Sequence, residues 1–100
     1  DIWNPKGNLK NSGFLPHERE WMDRLLARGW VDVWRALNGE AQAYSWWSNR
    51  GEARARDRGW RIDYLLVSPS LAARAVSANI VGTMPYLSDH CPISATFTRL

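Results

Sequence analysis

A carboxylate set inside the most apolar run of the chain constrains the fold more than any other feature. Residues 60–67 read Trp-Arg-Ile-Asp-Tyr-Leu-Leu-Val. Aromatic and branched residues at this density predict a strand laid against a core. Asp63 stands in the middle of that strand, and burying a carboxylate without a partner is costly. Two kinds of partner are open to it. One is the imidazole of His90, whose tautomer the carboxylate would fix. The other is a neighbouring Arg.

The strand needs a fold around it. One hundred residues fit at most one domain. A chain of this size buries roughly 60–70% of its unfolded surface, so a core is possible but modest. Seven residues are Trp. Each ring brings a large apolar area, so most are expected in the core, with a few near the Arg-rich stretch free to stack on a sugar or base. The chain opens on Asp1 and the loop-like run Asn4-Pro5-Lys6-Gly7-Asn8, as a piece of a longer protein would.

Residues 1–13 read as a loop rich in Asn, Gly, Pro and Lys. A helix is expected over residues 16–28. Pro16 suits the first turn, Glu18 and Glu20 the N-terminal half, and Arg24 and Arg28 the C-terminal half. Trp21, Met22, Leu25 and Leu26 form its apolar stripe, and Gly29 is the expected stop. Residues 30–37 suit a short second helix or an irregular turn. Residues 44–47 have strand character, and 48–59 read as an Arg-rich loop. After the strand at 60–67 come a helical turn to about Arg74, a strand at 76–83, a loop at 84–91 and a final strand at 92–99. Strands separated by helical turns indicate an α+β sheet sandwich, incomplete here.

Net charge is only +3, but eleven of the thirteen basic residues are Arg. Arg50, Arg54, Arg56, Arg58 and Arg61 crowd one stretch against Glu52 and Asp57. Guanidinium forks suit phosphate oxygens, although a solvated basic surface looks the same in sequence. Cys91 is the only cysteine, so no internal disulfide can form, and a reducing cytoplasmic setting fits best. No stretch approaches a membrane span.

Two clusters besides Asp63 can carry chemistry. Ser88-Asp89-His90-Cys91-Pro92 places a carboxylate and an imidazole on a loop before a strand. Such a pair can do acid–base work, and a structural His would read identically. Cys91 reads as a small buried thiol, with no second cysteine to make a zinc site. The stretch Asn4 to Phe14 spaces amides and ammonium groups along a loop, which suits a sugar-phosphate backbone or plain turn chemistry. His17, among polar residues at a helix start, reads as a surface residue.

Taken together the clusters resemble one family. Asn4-Pro5-Lys6-Gly7-Asn8 with Asn11-Ser12-Gly13-Phe14, then Tyr44-Ser45-Trp46-Trp47, then Gly59-Trp60-Arg61-Ile62-Asp63-Tyr64, then Ser88-Asp89-His90-Cys91-Pro92 follow the order and spacing of exonuclease III-type abasic endonucleases. The Ser-Asp-His ending alone is shared with other DNase I-like phosphoesterases, including inositol-phosphate phosphatases and sphingomyelinases. The Asn-Pro-Lys-Gly-Asn and Gly-Trp-Arg-Ile-Asp-Tyr segments are more specific to the DNA-repair branch.

The resemblance implies a four-layer α/β sandwich of the DNase I-like fold. Residues 1–100 would be the C-terminal portion of that single domain. It implies hydrolysis of the phosphodiester 5′ to an abasic site, with removal of 3′ nucleotides or 3′ blocking groups, using Mg2+ as cofactor, with Mn2+ as the alternative ion. Carried over by position, His90 contacts the scissile phosphate, Asp63 orients it, and Asp89 lies near the metal and the attacking water, with Asp89 and His90 on the metal side. Asn8, Asn11 and Arg50 would hold DNA, and Trp46, Trp60 and Ile62 would wall the pocket for the extruded sugar. The partner is double-stranded DNA with abasic sites or 3′ ends, with no membrane and no implied oligomer. The setting would be the cytoplasm, at the nucleoid in a bacterium. The family's earlier metal-binding and catalytic segments are not in these residues, so the isolated chain is expected to be inactive and prone to associate. A non-catalytic DNA-binding piece is the remaining alternative. Plain strand alternation would also put Asp63 on the face opposite Trp60 and Ile62, so a strand end, twist or bulge has to intervene.

Overall fold

The computed structural model describes residues 1–81 and 88–99. Four stretches of chain lie side by side around the site. Ile2 bridges Trp60, Trp60 pairs with Trp46, and Trp46 bridges His90, all antiparallel. Residues far apart in sequence are thereby set in one row.

The first stretch is a structured loop. Asn4 adopts a left-handed backbone, and its side chain accepts from Gly7 N–H at 3.3 Å. A 3-10 turn follows over Pro5–Asn8. Helix α1 spans Pro16–Ala27, with Pro16 in its first turn as expected. Leu15 has no side chain to cap it. Instead the Glu18 carboxylate reaches back to accept from Leu15 N–H at 3.1 Å and Gly13 N–H at 2.7 Å, satisfying donors left over at the helix start. Gly29 ends the helix at φ 104°, a conformation other residues rarely hold.

Residues after Gly29 divide into a two-residue strand β1, Val31–Asp32, and a short helix α2, Val33–Asn38. Asp32 is the hinge, and its carboxylate accepts from Arg35 N–H at 3.2 Å as an N-cap. Strand β2, Trp46–Trp47, pairs antiparallel with β3, Gly59–Trp60, and β1 pairs with β4, Leu66–Val67. A one-turn helix α3, Pro69–Ala72, is capped by Ser68. Strands β5, Ala75–Ile80, and β6, Ile93–Phe97, form the longest ladder, with a register shift between Ala75 and Ser77. Helix α2 lies on β5, and Asn38 donates to Ala78 C=O at 3.3 Å. Helices with short antiparallel strands make the α+β class expected. The end of the strand expected at 76–83, and the first half of the loop at 84–91, lie outside the described residues.

Two expectations are corrected. The strand at 60–67 is not continuous: β3 stops at Trp60, β4 starts at Leu66, and residues 61–65 are irregular. Their backbone donors are met differently, since Ser45 Oγ accepts from Ile62 N–H at 3.1 Å and Asp63 N–H at 3.2 Å. A side-chain oxygen has replaced the ladder, and the strand end that Asp63 required is found there. The Trp residues are also not mainly core. Among the described residues the buried apolar ones are Ile2, Val33, Ala53, Ala78 and Cys91, while Trp21 and Trp30 are 56% and 47% exposed. The rings act as walls and cation seats instead: Arg58 lies over Trp3 at 4.9 Å, Arg54 over Trp47 at 4.6 Å and Arg61 over Trp34 at 4.9 Å. These 100 residues by themselves enclose few large side chains, and a Trp ring is seldom enclosed completely.

Gly59 shows how closely β2 and β3 approach. A Cβ there would sit 2.6 Å from Tyr44 Cβ and 2.7 Å from Trp47 Nε1. Gly59→Ala is therefore expected to destabilise the full-length protein by about 1–3 kcal/mol through overpacking. Denaturant unfolding measures it, and an unmoved midpoint would show that the β2–β3 pair yields freely.

Candidate active site and nucleic-acid interface

The row of strands ends in a carboxylate–imidazole pair. Asp63 Oδ2 stands 2.8 Å from His90 Nδ1, and both side chains are partly exposed. Of the two partners open to Asp63, it meets His90. With the ring proton on Nδ1, facing the carboxylate, the Nε2 lone pair is left for a reacting group. The His90 backbone is fixed twice, by its bridge to Trp46 and by donation of its N–H to Ser88 Oγ at 3.1 Å.

Asp89 points to the same edge of β2. Its Oδ2 accepts from Trp46 Nε1 at 2.9 Å. That hydrogen bond, chiefly, holds the Asp89 carboxyl below the usual carboxylate range, and the neighbouring His90 acts in the same direction. A carboxylate held ionised suits a cation or a polarised water.

Trp46 also turns a face to a cavity of about 500 Å3, walled by Phe14, Trp46, Trp60, Ile62 and Tyr64. Trp60 meets Trp46 and Phe14 edge to face, at centroid distances of 6.1 and 6.3 Å. Neither Asp63 nor His90 lines this cavity; Trp46 does, and its ring centroid is 6.3 Å from that of His90. The three wall residues expected from sequence are thus brought together. Phe14 and Tyr64 join them, although sequence reasoning gave them no role; Phe14 closes the Asn11-Ser12-Gly13-Phe14 segment, which was the available signal.

On the other side of the Trp46–Trp60 wall is a groove of about 360 Å3 that gathers Asn8, Asn11, Arg50 and Arg58. Arg50 and Asn11 are exposed, while Asn8 is 4% exposed. Both Asn8 amide hydrogens go to backbone carbonyls, of Trp3 and Asn4, each at 2.9 Å. Its oxygen accepts from Asn11 Nδ2 at 2.7 Å. Asn8 thus holds the loop and aims Asn11, and any phosphate contact of its own would have to displace one of these bonds.

Arg61 departs from its reading as part of a basic surface stretch. It is 5% exposed, with its guanidinium bidentate to Asp32 at 2.7 and 3.2 Å and its Nε 3.5 Å from Asp1 Oδ2. Trp34 and Tyr64 lie on its faces at 4.9 and 5.0 Å. Asp1 further accepts from Ala43 N–H at 3.1 Å and pairs with Arg35. A planar, delocalised cation between two rings is suited to burial in this way. Arg61 is a structural cation, and the basic stretch left nearer solvent is Arg50, Arg54, Arg56 and Arg58, with Arg56 4.0 Å from Glu52.

The site fits only a share of a magnesium centre. Among the described residues no group of three or more His, Cys, Asp or Glu side chains is placed to hold a metal ion. Magnesium takes six oxygen ligands in near-octahedral order. Asp89 offers one carboxylate oxygen to such a shell, and His90 Nε2 is better suited to phosphate than to a hard cation.

Residues 5–90 match the Endonuclease/Exonuclease/phosphatase family, and the chain belongs to that family. Its relatives act on DNA by name. The Exodeoxyribonuclease of Bacillus subtilis (strain 168) is 46% identical over 98 residues, which cover 93% of this chain and 37% of that protein. An AP endonuclease structure from Archaeoglobus fulgidus superposes with TM-score 0.86 at 30% identity, over 97% of this chain and 39% of that one. The 3′ phosphatase NExo from Neisseria, bound to a product DNA hairpin, superposes with TM-score 0.76 at 34% identity, over 84% and 34%. The chain therefore has the DNase I-like fold of these nucleases and spans little more than a third of their length. Among the described residues no helix is long and apolar enough to cross a membrane.

Proposed function

We propose that the full-length protein is a Mg2+-dependent exodeoxyribonuclease and abasic-site endonuclease, of whose single catalytic domain residues 1–100 are the C-terminal portion. The carrying observation is the 2.8 Å Asp63–His90 pair next to Trp46, which lines the cavity and donates its Nε1–H to Asp89. Relatives that are exonucleases and AP endonucleases by name support the same reading.

The chemistry follows from the side chains. Phosphodiester hydrolysis needs an in-line water and stabilised charge on the phosphate oxygens. His90 presents Nε2 to the scissile phosphate, and Asp63 holds the ring in that tautomer. Asp89 orients the attacking water and offers one oxygen to the cation. Magnesium, when bound, neutralises charge on the phosphate oxygens, and manganese can take its place. The walls of Phe14, Trp46, Trp60 and Ile62 receive an extruded sugar that carries no base. Asn11 and Arg50 hold backbone phosphates of double-stranded DNA, which carry no sequence information. The cytoplasm is the expected compartment.

The test uses purified full-length protein. A duplex with one abasic site should be incised on its 5′ side, and chelation of divalent cations should stop the reaction. Hydrolysis of an inositol phosphate or sphingomyelin without incision would favour another phosphoesterase of the family. Binding to the same duplex across a salt series tests the groove. Arg50→Ala is expected to lower the salt slope by about one unit, and an unchanged slope would return Arg50 to the solvated surface.

A further inference from the structure

We propose that Ser45 is the positioning residue of the Asp63–His90 pair, acting through its hydroxyl; the inference rests on the nuclease reading above. Ser45 is fully buried, at 0% exposure. Its N–H donates to Trp60 C=O at 2.8 Å and its C=O accepts from Cys91 N–H at 2.7 Å. One residue thus ties the backbone that leads to Asp63 to the backbone that leaves His90.

The hydroxyl does what the backbone bonds do not. Ser45 Oγ accepts from two successive amides, Ile62 N–H at 3.1 Å and Asp63 N–H at 3.2 Å. In an extended strand, successive N–H groups point to opposite edges. Their convergence on one oxygen requires a concave backbone of the kind that holds anions. That bend sets the direction in which each of the two side chains leaves the backbone. Ile62 remains in the cavity wall while Asp63 turns to His90 Nδ1. Ser45 is enclosed, so a side chain without the hydroxyl takes the acceptor from two donors at once. The segment then relaxes, and Asp63 moves relative to the imidazole. Ser45 reaches the reacting atoms only through Asp63 and His90.

The experiment compares wild type, Ser45→Ala, Asp63→Asn and the double variant in the full-length protein, with an abasic duplex as substrate. Ser45→Ala is expected to lower kcat by about 10–100-fold, the scale of a displacement near 1 Å, with KM within about twofold. In the Asp63→Asn background it should cost less than about threefold more, because the geometry it serves is already lost. The His90 imidazole NMR signals should move in Ser45→Ala in the same direction as in Asp63→Asn. That readout needs no turnover, so it still decides the matter if wild type fails to incise the duplex, a result that would sink the nuclease reading alone. If Ser45→Ala does not fold, Ser45→Cys, which keeps a side chain but accepts weakly, is measured by the same criteria. Unmoved His90 signals, or a loss of kcat as large in the Asp63→Asn background as in wild type, would overturn the proposal.

Discussion

Asp63→Asn and His90→Asn are each expected to lower cleavage of an abasic duplex by about 10²–10⁴-fold in the full-length protein, the range of a positioned acid–base group. The amide in Asp63→Asn can still reach Nδ1, but it no longer requires the ring proton there. His90→Asn removes the group that faces the phosphate. Because the two touch at 2.8 Å, they should act as one unit. The double variant should then be about as active as the worse single variant, since a unit is lost once. Steady-state kinetics of the four proteins measure this. Losses that multiply would mean that Asp63 and His90 serve separate steps.

The second large effect concerns stability. Arg61→Leu, or Asp32→Ala, removes one side of a bidentate pair whose side chains are 6% and 11% exposed. Breaking a pair so buried leaves an uncompensated charge and costs about 3–5 kcal/mol. Arg61→Leu has a further effect, because Asp1 and Asp32 both face the guanidinium and would be left near each other without it. Asp32→Ala also removes the cap of α2. Chemical denaturation of the full-length protein measures both variants. Replacing Arg61 and Asp32 together by apolar residues should recover part of the loss, as replaced buried ion pairs often do. A loss under about 1 kcal/mol for each single variant would mean that water already reaches the pair, as at an exposed salt bridge.

This buried cation also bears on the groove. With Arg61 inside, the basic face that can meet a phosphate backbone is the loop from Arg50 to Arg58. Two of its guanidiniums already rest on Trp rings, Arg54 on Trp47 and Arg58 on Trp3. Arg50 is exposed and has no such seat among the described residues, which is why it carries the salt-slope test.

Much of the local structure was legible from the chain itself. Pro16, Glu18 and Gly29 mark helix α1 because they meet needs that any helix end has, whatever surrounds it. The alternation of Ile93, Ala95 and Phe97 marks β6 for the same reason. The segments that carry chemistry were legible as well, since a carboxylate in an apolar run needs a partner wherever it lies. What tertiary structure decided was the partner and the direction. Asp63 could have met an Arg, and it meets an imidazole 27 residues away. Arg61 reads as one of five basic residues, and two carboxylates with two rings draw it inside. The apolar run reads as one strand, and the hydroxyl of Ser45, 17 residues upstream of Ile62, ends it early. In each case the deciding group lies far along the chain. Periodicity and capping report on neighbours within a few residues, whereas hydrogen bonds and ion pairs are settled by whichever group the fold brings within about 3 Å.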